Sequence, residues 1–176
     1  MKLAIGALTV PATACSADIT AESRGPEDVA GLADVMQAMV EPSAQTIWNS
    51  VSSTSDENGS RQNSPQNDAE WQHVRNAGVV LGESVNLVAS ADRKAGHKLE
   101  KTPAPADAGT LPPEEIQRLI DGDPAAFAKH ARLTQQSALQ VIAAVDARDP
   151  KALEAAGAEL DQACEACHIQ FWYPTE

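Results

Sequence analysis

Apolar residues recur along this chain in steps of three and four, the spacing that keeps one face of an α-helix against a core. Four long stretches show it. Residues 29–51 carry Val29, Leu32, Met36, Met39 with Val40, Ile47 and Val51, after an acidic start at Gly25-Pro26-Glu27-Asp28. Pro42 lies inside this stretch and predicts a kink or a division there, because its ring blocks the helical ladder. Residues 68–91 carry Trp71, Val74, Gly78, Leu81, Val85 and Val88, an a/d stripe suited to packing among helices. Gly78 is unfavourable in a helix and predicts close approach by a neighbour or a bulky ligand. Residues 124–147 repeat the stripe through Phe127, Ala131, Thr134, Ala138, Val141 and Val145. A fourth helix carries Leu153, Gly157, Leu160, Cys164, Cys167 and Phe171, and Pro174 should end it.

The connections are polar. Residues 52–67 are rich in Ser, Asn, Asp and Gln and read as an exposed loop, and residues 95–113 read as a second loop. Pro113-Glu114-Glu115 opens a short helix through Ile116, Leu119 and Ile120. Asp121-Gly122-Asp123-Pro124 then ends it and starts the next, with Asp123 at the N-cap and Pro124 at the first helical position. The tight turn Arg148-Asp149-Pro150 returns the fourth helix antiparallel to the third. No strand pattern is evident. The expectation is an all-α chain: one antiparallel four-helix bundle over residues 18–176, with a short extra helix before the third long one.

Residues 1–17 read as an export signal. Lys2 is the positive start, residues 3–10 are apolar, and Pro11-Ala12-Thr13-Ala14 ends in small residues. The apolar run is too short to span a bilayer. Two fates of Cys15 stand side by side. It is lipidated if Ala12-Thr13-Ala14-Cys15 serves as a lipobox, or it leaves with the signal if cleavage follows Ala17. The expected location is the periplasm, on a membrane only through a lipid at Cys15.

The net charge of −12 over 176 residues argues against nucleic acid, whose phosphates require a basic surface. It suits a basic or locally basic partner. Aromatic residues make up only 3% of the chain, so a helical interior rich in Ala has room for a large rigid ligand.

The last helix names that ligand. Cys164-Glu165-Ala166-Cys167-His168 has the Cys-x-x-Cys-His spacing of c-type haem attachment. Two thiols one helical turn apart can meet the two vinyl groups of a single haem, and the adjacent imidazole can reach its iron. A redox dithiol usually accompanies a βαβ pattern, which is missing, and a zinc site needs a second pair of ligands, also missing. The expected cofactor is one covalent haem c, held by Cys164 and Cys167 with His168 as axial ligand. Only residues 169–176 follow the motif, so any sixth iron ligand must come from upstream. No convincing set of catalytic acids, bases or nucleophiles accompanies it. The chain therefore reads as an electron carrier serving redox partner proteins, not as an enzyme.

A haem motif on the final helix of a helical chain resembles the cytochrome c′ type, the class II c-type cytochromes. Met-x-x-Met-Val-x-Pro-Ser-Ala-x-x-x-Trp from Met36, Glu70-Trp71-x-x-Val-Arg, Glu83-Ser84-Val85-Asn86-Leu87 and the stretch from Cys164 to Pro174 extend the likeness to a group of exported cytochrome c′-like proteins. The resemblance implies that the first helix covers the far side of the haem. Met36 then matches the position of a sixth ligand, with Met39 the second choice. The alternative within the family is a five-coordinate haem that binds small gases such as nitric oxide or carbon monoxide. Gas-binding members carry Arg or Lys four residues after the haem His, and here that position is Trp172, which weighs toward electron transfer. The family also implies that a homodimer through the first two helices is open to this chain. Arg75, Arg93 and Arg132 are candidates to pair with haem propionates. His73, His97 and His130 are additional imidazoles with no assigned role.

Overall fold

The computed structural model describes residues 28–56, 59–90, 93–96 and 109–173, and these are mostly helical, as the periodicity predicts. The expected export signal, Cys15, His97 and Pro174 lie outside the described residues.

The first helical stretch begins at Leu32 and not at Val29, which is 71% exposed and off the core face. Its start is set by distant residues. Helix α1 (Leu32–Val35) has its first N–H groups capped by the segment that follows the second long helix: Leu32 donates to the Lys94 carbonyl at 2.7 Å and Ala33 to that of Ala95 at 3.1 Å. The Asp34 carboxylate accepts the Gly31 N–H at 2.8 Å. Arg93, its side chain only 5% exposed, clamps the same junction through Asp28 at 2.6 Å and the Ala30 carbonyl.

The division expected at Pro42 is present, in an unexpected form. A π turn (Met36–Val40) follows α1, and α2 (Glu41–Ser50) continues from it with Pro42 in its first turn. Residues 52–56 and 59–63 correct the loop expectation, which holds for residues 64–67. Strands β1 (Ser52–Asp56) and β2 (Gly59–Asn63) pair antiparallel, Ser52 opposite Asn63. Such a polar hairpin lacks the alternation of apolar residues by which strands are recognised, and its pairing rests on backbone hydrogen bonds.

Helix α3 (Asp68–Val88) ends three residues short of the predicted limit. Asn67 caps it, its side-chain oxygen accepting the Glu70 N–H at 3.1 Å. Helix α4 (Pro113–Gly122) is the predicted short element, and none of its residues is fully buried. Asp123 caps α5 (Pro124–Asp146) through the Ala126 N–H, as its sequence position predicts. Arg148 turns the chain with a φ of 52°, and Asp149 accepts the Lys151 and Ala152 N–H groups at the head of α6 (Pro150–Phe171).

Every residue of the predicted α3 and α5 stripes is buried. Helix α5 packs along both α6 and α3, and α2 lies on α3. The contacts are specific. Phe127 of α5 meets Phe171 of α6 edge-on, with ring centres 5.3 Å apart. Gln135 reaches across to the Gly82 carbonyl and the Asn86 side chain, and Arg75 pairs with Asp146 at 2.7 Å. The Trp48 indole N–H donates to the Gly157 carbonyl at 3.0 Å, joining α2 to α6. The close approach predicted at Gly78 is made by a neighbouring helix: a Cβ there would lie 2.9 Å from Ile142 Cγ1. Among the described residues no helix is long and apolar enough to cross a membrane.

Candidate functional site

The last turns of α6 carry Cys164, Cys167 and His168, spaced i, i+3 and i+4, so their side chains share one face. That face turns partly inward. Both cysteines are half-buried against the core, and neither forms a disulfide. Together with His168 they line a small cavity of about 50 Å³, whose other walls are Met36, Val40, Val85, Val88, Phe127, Ala131 and Thr134. The only hydroxyl in this lining, on Thr134, donates back to the His130 carbonyl at 3.2 Å and asks for no partner in the cavity.

A second, more open cavity of about 420 Å³ shares Met36, Val40, Cys164 and His168 with the first and is bordered by Glu41, Ala44, Gln45, Trp48, Thr110, Trp172 and Tyr173. Its size falls in the range of small-molecule and cofactor sites, roughly 300–1,000 Å³. The end of α6 is held at its rim. The Trp172 carbonyl accepts the Leu111 N–H at 2.8 Å, the Trp172 ring stands edge-on to His168 at 4.8 Å between centres, and the Tyr173 hydroxyl reaches Glu165 at 3.4 Å.

Burial governs the electrostatics. It pushes the Cys164 thiol up to about 11, helped by the charge of Asp161, and the Cys167 thiol up to about 12, helped by Cys164. Both stay protonated near neutrality. Burial lowers His168 from its ordinary value against a weaker opposing pull from Glu165. Its imidazole is therefore neutral near pH 7, the form that can bind a metal.

Of the residues singled out in the sequence, Cys164, Cys167, His168 and Met36 come together at one cavity. Met39 packs against the core but lines neither cavity. Arg75 and Arg93 are committed to Asp146 and Asp28, and Arg132 lies on neither lining, so the suggested propionate partners are not assembled at this site. His130 bonds Gln170 at 2.9 Å, and His73 borders a separate polar groove of about 870 Å³ between α2 and the start of α3. Amides of that groove donate to nearby backbone carbonyls and to the Glu70 carboxylate, and none of the predicted site residues lies on it. Sequence reasoning did not anticipate Thr110 or the wall formed by Ala44 and Trp48. The Trp48 ring carried a signal, since it sits beside the apolar stripe of its helix, but its partner lies far along the chain.

No family model, curated protein or solved structure matches this chain.

The donor set fits a covalently held haem. Two free thiols and a neutral imidazole share one face, the enclosed cavity is almost wholly apolar, and the wider one beside it offers the space that the smaller lacks.

Proposed function

We propose that this chain is an exported, monohaem c-type cytochrome of the cytochrome c′-like class that carries single electrons between redox partner proteins. Cys164 and Cys167 would hold the haem, His168 would be its axial ligand, and Met36 the second. The observation that carries the reading is the position of Met36. It comes from near the start of the described chain and lines both cavities that Cys164 and His168 line.

The bound haem supplies the one-electron couple of its iron. What the chain supplies is an environment. The Val40, Val85, Val88 and Phe127 side chains give the enclosed cavity an apolar wall. The lowered proton affinity of His168 keeps its nitrogen free to bind, and the edge of Trp172 restrains the ring. Met36 offers a neutral, soft sulfur, which favours the reduced metal and raises the potential. The scaffold we propose is an antiparallel four-helix bundle made of the first helical stretch, α3, α5 and α6. It is supported by the pairing of Phe127, early in α5, with Phe171 at the end of α6, and of Asp146 at the end of α5 with Arg75 in the first half of α3. A periplasmic location follows from the proposed signal at residues 1–17, because c-type haem is attached outside the cytoplasm.

The visible spectrum of the reduced protein, with and without carbon monoxide, tests this. A low-spin spectrum unmoved by the gas, and made responsive by Met36→Ala, supports the electron carrier. A high-spin spectrum that shifts with gas in the unaltered protein replaces it with the second reading, a five-coordinate binder of small gases. The room beside Met36 in the wider cavity favours that alternative. Absence of haem absorbance after expression with the attachment machinery sinks both.

A further inference from the structure

Pro42 does not touch either cavity, yet the backbone around it is organised on its account. In an α-helix each N–H reaches back four residues. Pro42 has no N–H to give, and its ring would press on the carbonyl four residues earlier, that of Ala38. A helix meets this conflict by kinking, by ending or by opening a wider turn. Here it opens. The Glu41 N–H reaches back five residues to the Met36 carbonyl, and the helix resumes directly as α2, where the Thr46 hydroxyl donates to the Pro42 carbonyl at 2.8 Å.

Both ends of the stretch are fixed by other parts of the molecule. Upstream, Leu32 and Ala33 are capped by the carbonyls of Lys94 and Ala95, and Arg93 grips Asp28. Downstream, Trp48 is bonded to Gly157 of α6. A wide turn between two fixed ends takes up one more residue than an α turn would, and so sets which side chains of the stretch face α6. Met36 is the residue whose carbonyl closes that turn, and it lines both cavities with Cys164 and His168. Met39, three residues on, lines neither. Turns of this kind are frequent at functional sites.

We infer that Pro42 is a positioning residue for Met36: by holding the π turn at Met36–Val40 open, it selects Met36 rather than Met39 as the thioether that faces His168. The inference rests on the proposed haem site. Pro42→Ala returns an N–H to residue 42 and removes the ring, so the ordinary ladder can close and Met36 turns away.

The test uses haem-loaded protein in four forms: unaltered, Met36→Ala, Met39→Leu, and Met39→Leu combined with Pro42→Ala. Met39→Leu is included so that Met39 cannot swing in and mask the effect. Each is read by carbon monoxide binding to the reduced form, by reduction potential and by thermal melting. We expect Met39→Leu to match the unaltered protein. The Pro42→Ala combination should gain carbon monoxide binding and lose potential toward the Met36→Ala values. Its melting temperature should be unchanged or higher, since Ala is the better helix former. Spectra and potential that stay at the unaltered values in the Pro42→Ala combination overturn the inference and leave the Met36 ligand standing. If the unaltered protein and Met36→Ala already bind the gas alike, the ligand reading itself fails, and the inference goes with it.

Discussion

Two glycines on α3 make one substitution act in opposite directions. Gly78 and Gly82 lie four residues apart, both buried against α5. Replacing a helical Gly by Ala stabilises the helix by about 1 kcal/mol when nothing else changes. At Gly82 nothing else does: the new Cβ would sit 3.7 Å from the Ala138 Cβ, an ordinary contact. At Gly78 it would sit 2.9 Å from Ile142 Cγ1 and 3.5 Å from Val141 Cγ1. Ile is branched at Cβ and stiff about χ1, so that carbon cannot swing aside cheaply. Overpacking of this kind costs about 1–3 kcal/mol. Gly82→Ala should therefore raise stability by about 1 kcal/mol, whereas Gly78→Ala, its propensity gain offset, should be neutral to about 2 kcal/mol destabilising. Urea unfolding, followed by far-ultraviolet circular dichroism, measures both as midpoint shifts at constant slope. In an Ile142→Ala background the obstructing carbon is gone, and the two substitutions should become alike. Equal shifts for both glycines in the unaltered background would refute the argument that the α3–α5 approach is set by Gly78. The consequence reaches the site, because α3 supplies Val85 and Val88 to the enclosed cavity and α5 supplies Phe127, Ala131 and Thr134.

Two further expectations concern the walls and the thiols. Trp48→Phe removes the indole donor to the Gly157 carbonyl, which keeps its own bond within α6, and should cost about 0.5–1.5 kcal/mol in urea unfolding. The second uses chain expressed without haem-attachment machinery, in a Cys15→Ser background. Because only thiolates react, iodoacetamide should modify Cys164 and Cys167 slowly at pH 8 compared with the denatured chain, the rates rising toward about 11 and about 12. These folded values lie above the unfolded reference of 9.0, so the unfolded chain releases the protons first. Stability from these groups is thus intact below pH 9 and falls as pH rises through the folded values. Alkylation as fast in the folded as in the denatured chain at pH 8 would contradict their burial.

Much of this molecule is legible without its coordinates because much of it is local. A stripe of apolar residues at helical spacing requires one buried face whatever lies opposite, which is why all the positions expected on α3 and α5 are buried. Asp123 caps its helix through a hydrogen bond three residues away, and the Cys164–Cys167–His168 spacing is a property of one helical turn. What the tertiary structure decided depends on partners distant in the chain. Val29 fits the stripe but is exposed, because Lys94 and Ala95 cap the helix at Leu32 and end the pattern there. Strands β1 and β2 show no alternation of apolar residues in the sequence, so only their antiparallel pairing in the fold reveals them. Arg75 and Arg93 were charges without addresses until Asp146 and Asp28 came beside them. Met36 and Met39 occupy the same apolar pattern, and composition cannot rank them. The resemblance favours Met36; the fold places Met36 on both cavities beside Cys164 and His168, and Met39 on neither.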